Sequence, residues 1–67
     1  MTTINDILNR LPQKISAAIK TYKDAYTTYY TERDLARSGA YGYAYGLLDA
    51  GLIDADELNV IVAYVTE

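Results

Sequence analysis

Residues 32–50, ERDLARSGAYGYAYGLLDA, decide the fold class because they carry two conflicting periodicities. Tyr41, Tyr43 and Tyr45 alternate with Gly42 and Ala44, the two-residue period of a strand, while Ala36, Ala40, Tyr43 and Leu47 fall on one stripe of a helix. A single short strand has no evident partner in this chain. A helix, by contrast, has a natural stop in Gly51, which can take the left-handed conformation, followed by Leu52 and Ile53 for the closing apolar contact. The stretch therefore reads as a helix, and the chain as one all-α domain, a small bundle of three or four helices.

The flanking segments agree. Towards the N-terminus, Thr3 with Asp6 has the form of a capping box, and Ile4, Ile7, Leu8 and Leu11 follow at helical spacing. Pro12 lacks an amide donor and pushes Leu11 towards extended geometry, which predicts a stop and a restart. Ile15, Ile19, Tyr22, Tyr26 and Tyr29 then recur at steps of three and four, the seam of a helix packed on other helices. Lys14, Lys20, Lys23, Asp24, Thr27 and Thr28 fall mostly off that seam. Thr31 with Asp34 is a second capping-box pattern, so the second helix is expected to end near Tyr30 and the third to begin around Glu32. Asp54 with Glu57 is the third such pattern, opening a terminal helix through Val65 with Leu58, Ile61, Val62 and Val65 as its apolar stripe. The run from Val60 to Val65 is β-branched enough for a strand, and the cap at its start decides for helix.

A chain of 67 residues without cysteine or histidine has neither disulfides nor a zinc site to reinforce a small core. A homo-oligomer is therefore expected. Cysteine-free composition fits a reducing compartment, no basic-then-apolar leader occupies Met1 to Asp6, and no apolar run reaches membrane-spanning length, so the expected location is cytoplasmic, away from the membrane.

The net charge of −3 is unevenly placed: the first 37 residues carry all six basic side chains and sum to +2, while Ser38 onward sums to −5. Either the two halves neutralise each other within the fold, or the acidic half meets a basic partner.

Catalysis near neutral pH is disfavoured. No histidine can serve as base or activate Ser16, Ser38 or a threonine. Asp54, Asp56 and Glu57 cluster, but at a helix N-terminus, where carboxylates act as caps and remain anionic, and their spacing is not that of a calcium loop. Gly39, Gly42 and Gly46 match no phosphate-loop fingerprint. We expect no enzyme, no metal and no cofactor. In a helix those three glycines would lie to one side, each costing about 1 kcal/mol relative to alanine, so close packing or an oligomer contact is expected there, with Tyr41, Tyr43 and Tyr45 around it.

Binding is better supported. All eight aromatic residues are tyrosines, rings that combine an apolar face with a hydrogen-bonding tip. Tyr22, Tyr26, Tyr29 and Tyr30 are interleaved with Lys20, Lys23, Arg33 and Arg37, the combination that takes a nucleotide or a single nucleic-acid strand, or else builds an aromatic core with a solvated basic rim. Duplex DNA is a poor fit for an acidic chain with six basic residues.

The stretch Tyr41-Gly42-Tyr43-Ala44-Tyr45-Gly46-Leu47-Leu48-Asp49-Ala50-Gly51-Leu52-Ile53, continuing through Asp54-Ala55-Asp56-Glu57-Leu58, resembles small bacteriophage and prophage helical proteins, over residues 41–67. In that group a helix of small and aromatic residues ends at a Gly-Leu-Ile turn and a capped acidic helix follows. The resemblance implies stoichiometric binding to host defence components in the host cytoplasm, as anti-CRISPR proteins and nucleotide-sequestering sponges do. The leading expectation is thus a non-enzymatic inhibitor that binds a host defence protein through its acidic half, including Asp54, Asp56 and Glu57, and exposed tyrosines such as Tyr41 and Tyr45. The alternatives are an oligomeric sponge that sequesters a nucleotide signal between tyrosines and Lys20, Lys23, Arg33 or Arg37, and a self-assembling structural protein.

Overall fold

The computed structural model describes residues 2–67, and these form four α-helices: α1 (Ile4–Arg10), α2 (Gln13–Thr28), α3 (Arg33–Asp49) and α4 (Ala55–Val65). A single 3-10 turn, Tyr30–Glu32, joins α2 to α3. No strand forms among the described residues, so both ambiguous segments, 41–45 and 60–65, are helical.

Local chemistry sets the helix ends. Thr3 and Asp54 both hold extended backbone and close full capping boxes, with Asp6 and Glu57 respectively returning the bond. Pro12 sits at the N-cap of α2, and its carbonyl accepts from the amides of Ile15 and Ser16, so the chain does restart there. The Ser16 hydroxyl, buried, donates to the Leu8 carbonyl at 2.6 Å and satisfies one of the carbonyls left open at the end of α1. α3 ends in a Schellman turn: Gly51 takes φ +76°, its amide donates to Leu48 O, and the Leu52 amide donates to Leu47 O.

Two sequence expectations fail at the α2–α3 junction. The Thr31–Asp34 capping box does not form, because Thr31 lies inside the 3-10 turn and the N-cap position falls to Glu32, whose ψ of 8° is not the extended backbone a cap requires. Tyr29 is not part of the core seam: α2 stops at Thr28, Tyr29 leaves helical geometry at φ −112°, ψ 88°, and its side chain is 57% exposed.

The core lies between α2, α3 and α4, with α1 packed across α2 and α4. Ile7, Ile19, Ile61 and Val65 are its fully buried large side chains. α3 contributes mainly small residues, Ala36, Ala40 and Ala44, plus Leu47, which lets its backbone lie close to its neighbours. Tyr22, Tyr26 and Tyr43 are half-buried at the margin of this core.

The three glycines of α3 do not act together. A methyl at Gly39 would fall 2.7 Å from Cε1 of Tyr22, a close approach within the subunit, whereas nothing lies within 4 Å of a methyl at Gly42 or Gly46. Those two face outward. Of the three tyrosines around them, Tyr43 turns inward against Tyr22, with ring centroids 5.8 Å apart, while Tyr41 and Tyr45 remain exposed.

Candidate functional site

The break between α2 and α3 gathers tyrosine rings and guanidinium groups from both sides of the turn. Arg33, the first residue of α3, reaches back so that its Nε donates to the Tyr26 carbonyl at 3.1 Å. That carbonyl belongs to the last turn of α2, where carbonyls lack helical partners and a cation meets the negative end of the helix dipole. In this position the guanidinium carbon stands 5.0 Å from the ring centroid of Tyr26 and 5.0 Å from that of Tyr30. Each such contact contributes about 0.5–1 kcal/mol at a partly exposed site.

One turn further along α3, Arg37 enters the same space. Tyr26, Tyr30, Thr31, Arg33, Asp34 and Arg37 together line a cleft of about 250 Å³. Tyr30 is 78% exposed and Arg37 is exposed. Among the described residues the ion pairs are Arg10–Glu57 and Lys23–Glu67, so neither arginine of the cleft is neutralised by a carboxylate at contact distance.

Of the interleaved aromatic and basic residues singled out from the sequence, the structure brings together Tyr26, Tyr30, Arg33 and Arg37 and sends the others elsewhere. Tyr22 packs on Tyr43 and beneath Gly39. Lys23 donates to the Tyr64 carbonyl at 2.9 Å, pairs with Glu67 at 3.7 Å and lies over the Tyr64 ring, closing the C-terminal end of α4. Lys20 is exposed on α2 and does not line the cleft. Thr31 and Asp34, which the sequence suggested as a cap, line it instead.

The acidic cluster is divided as well. Glu57 is buried and cannot meet a partner: its carboxylate accepts from the Asp54 amide and from Arg10, whose other terminal nitrogen donates to Leu52 O at 3.1 Å. Arg10 holds the Glu57 carboxyl below its ordinary range, helped by the hydrogen bond at Asp54 and opposed by burial. The basic N-terminal half and the acidic C-terminal half thus neutralise each other at two places, Arg10–Glu57 and Lys23–Glu67. Asp54 caps α4 through its Oδ1, which accepts from the Glu57 amide, and Asp56 is exposed beside it. No group of three or more potential ligands converges as a metal site among the described residues.

A second, apolar groove of about 320 Å³ lies between α2 and α3, lined by Thr21, Tyr22, Ala25, Glu32, Leu35 and Ala36. Leu35 stands on its rim, 75% exposed.

These features define a four-helix domain with an aromatic and basic cleft at one helix junction. No family model, curated protein or solved structure matches the chain. No helix of the described residues is long and apolar enough to cross a membrane.

Proposed function

We propose that the protein is a non-enzymatic binding module that takes a nucleotide at the Tyr26–Tyr30–Arg33–Arg37 cleft. The observation that carries this reading is the Arg33 guanidinium, 5.0 Å from the centroids of two tyrosine rings and, among the described residues, without a carboxylate partner, opening onto a cleft shared with Arg37. A base stacks on the exposed ring of Tyr30, and the phosphate is held by Arg37 and the terminal nitrogens of Arg33. Asp34 offers an acceptor to a ribose hydroxyl or a base amino group. At about 250 Å³ the cleft is smaller than the roughly 300–1,000 Å³ of most ligand pockets, so it would enclose part of one nucleotide and leave the rest on the open surface. In the phage setting that the C-terminal resemblance implies, such a module works by sequestering a nucleotide signal rather than by transforming it.

The test is calorimetric titration with each of the four ribonucleoside monophosphates. Saturable binding of at least one is expected, weakened about tenfold or more by Arg37→Ala, since Arg37 makes no ion pair within the fold. Absence of binding by all four, or binding indifferent to Arg37→Ala, overturns the reading.

Self-association is a compatible part of the proposal. Leu35 and the apolar groove at its foot share one face, so a two-fold axis would seat the Leu35 of each copy in the groove of the other. Sedimentation of Leu35→Asp tests this: a shift to monomer supports it, and unchanged mass refutes it. The reading as an inhibitor of a host defence protein retains Asp49, Asp54 and Asp56, all exposed, with Leu52 41% exposed near them. It loses Glu57 to the core.

A further inference from the structure

Four side chains of α3 continue the cleft along the helix. Arg33, Arg37, Tyr41 and Tyr45 follow one another at four-residue steps, each about 6 Å further along the axis and rotated by about 40°. The line drifts slowly round the helix and stays on its open side: Arg37 is exposed, Tyr41 is 40% exposed and Tyr45 53%. Tyr41 and Tyr45 stack on each other, with centroids 6.3 Å apart and ring planes at 25°. Unlike Tyr22, Tyr26, Tyr43 and Tyr64, this pair is not packed against the core.

Resting on the nucleotide reading of the cleft, we propose that the ligand is a dinucleotide, two bases joined through phosphate, with one base at Tyr30 and the other on the Tyr41–Tyr45 pair. The cleft, about 250 Å³, has room for no more than one nucleotide, and Tyr41 lies outside it, two turns along α3 from Arg33, so a single nucleotide leaves the second aromatic platform unused. In chain order the two guanidiniums fall between Tyr30 and the Tyr41–Tyr45 pair, so an extended two-base ligand would bring its phosphates to them. The line also sets an upper limit. No basic residue follows Arg37 in the chain, and Asp49 lies one turn beyond Tyr45 on α3. Further phosphates of a longer strand would meet that carboxylate with no cation further along α3 to receive them.

The experiment compares three ligands of one base, chosen as the best-bound monophosphate: the mononucleotide, the dinucleotide with a terminal phosphate, and a single strand of about a dozen residues. The dinucleotide is expected to bind about tenfold more tightly than the mononucleotide, the gain from one more stacked base. Replacing Tyr41 and Tyr45 together by alanine removes that gain and leaves mononucleotide binding unchanged. Per site, the long strand binds no more tightly than the dinucleotide. Equal affinity for mononucleotide and dinucleotide, or a gain that survives the double substitution, overturns the two-base ligand while the cleft reading stands. Binding of none of the three removes both.

Discussion

A methyl group on Gly39 would stand 2.7 Å from Cε1 of Tyr22, and the Tyr22 ring is itself packed on Tyr43 at 5.8 Å. Alanine ordinarily improves a helix interior by about 1 kcal/mol over glycine. At position 39 that gain is opposed by the displacement of a ring already packed on Tyr43. Gly39→Ala is therefore expected to lower the melting temperature. Gly42→Ala and Gly46→Ala, where the added methyl meets nothing within 4 Å, are expected to raise it. The gain is up to about 1 kcal/mol each, or about 4–8 °C for a chain of this size. Thermal unfolding followed by circular dichroism separates the three. A stabilised Gly39→Ala would show that the Tyr22–Tyr43 contact yields freely.

The Arg10–Glu57 pair ties α1 to the start of α4 and makes stability depend on acid. The Glu57 carboxyl is lowered from its ordinary 4.5, chiefly by the hydrogen bond from Arg10 and then by the one at Asp54. A group depressed in the folded state binds protons more readily when unfolded. Its contribution is therefore fully present above the ordinary value and lost as pH falls through the lowered one. Urea unfolding midpoints should be flat from neutrality to about pH 5 and decline below it. Glu57→Gln should be less stable than the parent at neutral pH and show a shallower acid decline. Parallel pH profiles for the two proteins would contradict this account.

Lys23 illustrates a basic residue that serves the fold. Its ammonium group donates to the Tyr64 carbonyl at 2.9 Å and lies 4.7 Å from the Tyr64 ring centroid, at the C-terminal end of α4 where the dipole favours a cation. Lys23→Met keeps the aliphatic stem and removes the charge. The expected cost is about 0.5–1 kcal/mol, with faster amide exchange in the last turn of α4 and no change in nucleotide binding. Weakened nucleotide binding would return Lys23 to the ligand site.

The sequence made the helices legible wherever a local rule was also the physical cause. Thr3 and Asp54 cap because the chain enters each helix from extended backbone, and Gly51 stops α3 because, alone among the described residues, it takes positive φ. Thr31 and Asp34 have the same spacing as the working caps, yet a tight 3-10 turn denies Thr31 the extended entry. That turn is also what the sequence left hidden about the site. It swings Arg33 back over Tyr26, seven residues earlier, and separates the cleft arginines from Lys20 and Lys23, which the linear pattern had grouped with them. The burial of Glu57 was equally out of reach, since it depends on Arg10 arriving from 47 residues away. The outward-facing Gly42 and Gly46 follow from helical phase, but only once the buried face of α3 is fixed by Ala36, Ala40 and Ala44.

Arg33 and Arg37 are expected to respond differently to the same conservative change. Arg33 uses its planar group twice, donating from Nε to the Tyr26 carbonyl and lying 5.0 Å from the centroids of two rings, whereas Arg37 is exposed in the cleft and pairs with no carboxylate among the described residues. A lysine at position 33 keeps the charge but has no plane to stack and no Nε to donate while its terminus faces the cleft. Arg33→Lys should therefore lose about 1 kcal/mol of stability, the worth of one such hydrogen bond, together with most nucleotide binding. Arg37→Lys should leave the melting temperature unchanged and retain binding within a few-fold, because a point charge still meets a phosphate there. The comparison needs only melting curves and titrations on the two variants. Binding retained equally by both variants would mean that charge alone matters in the cleft and that the contacts of the Arg33 plane are incidental to it, whereas equal losses would mean that Arg37 also needs its planar group.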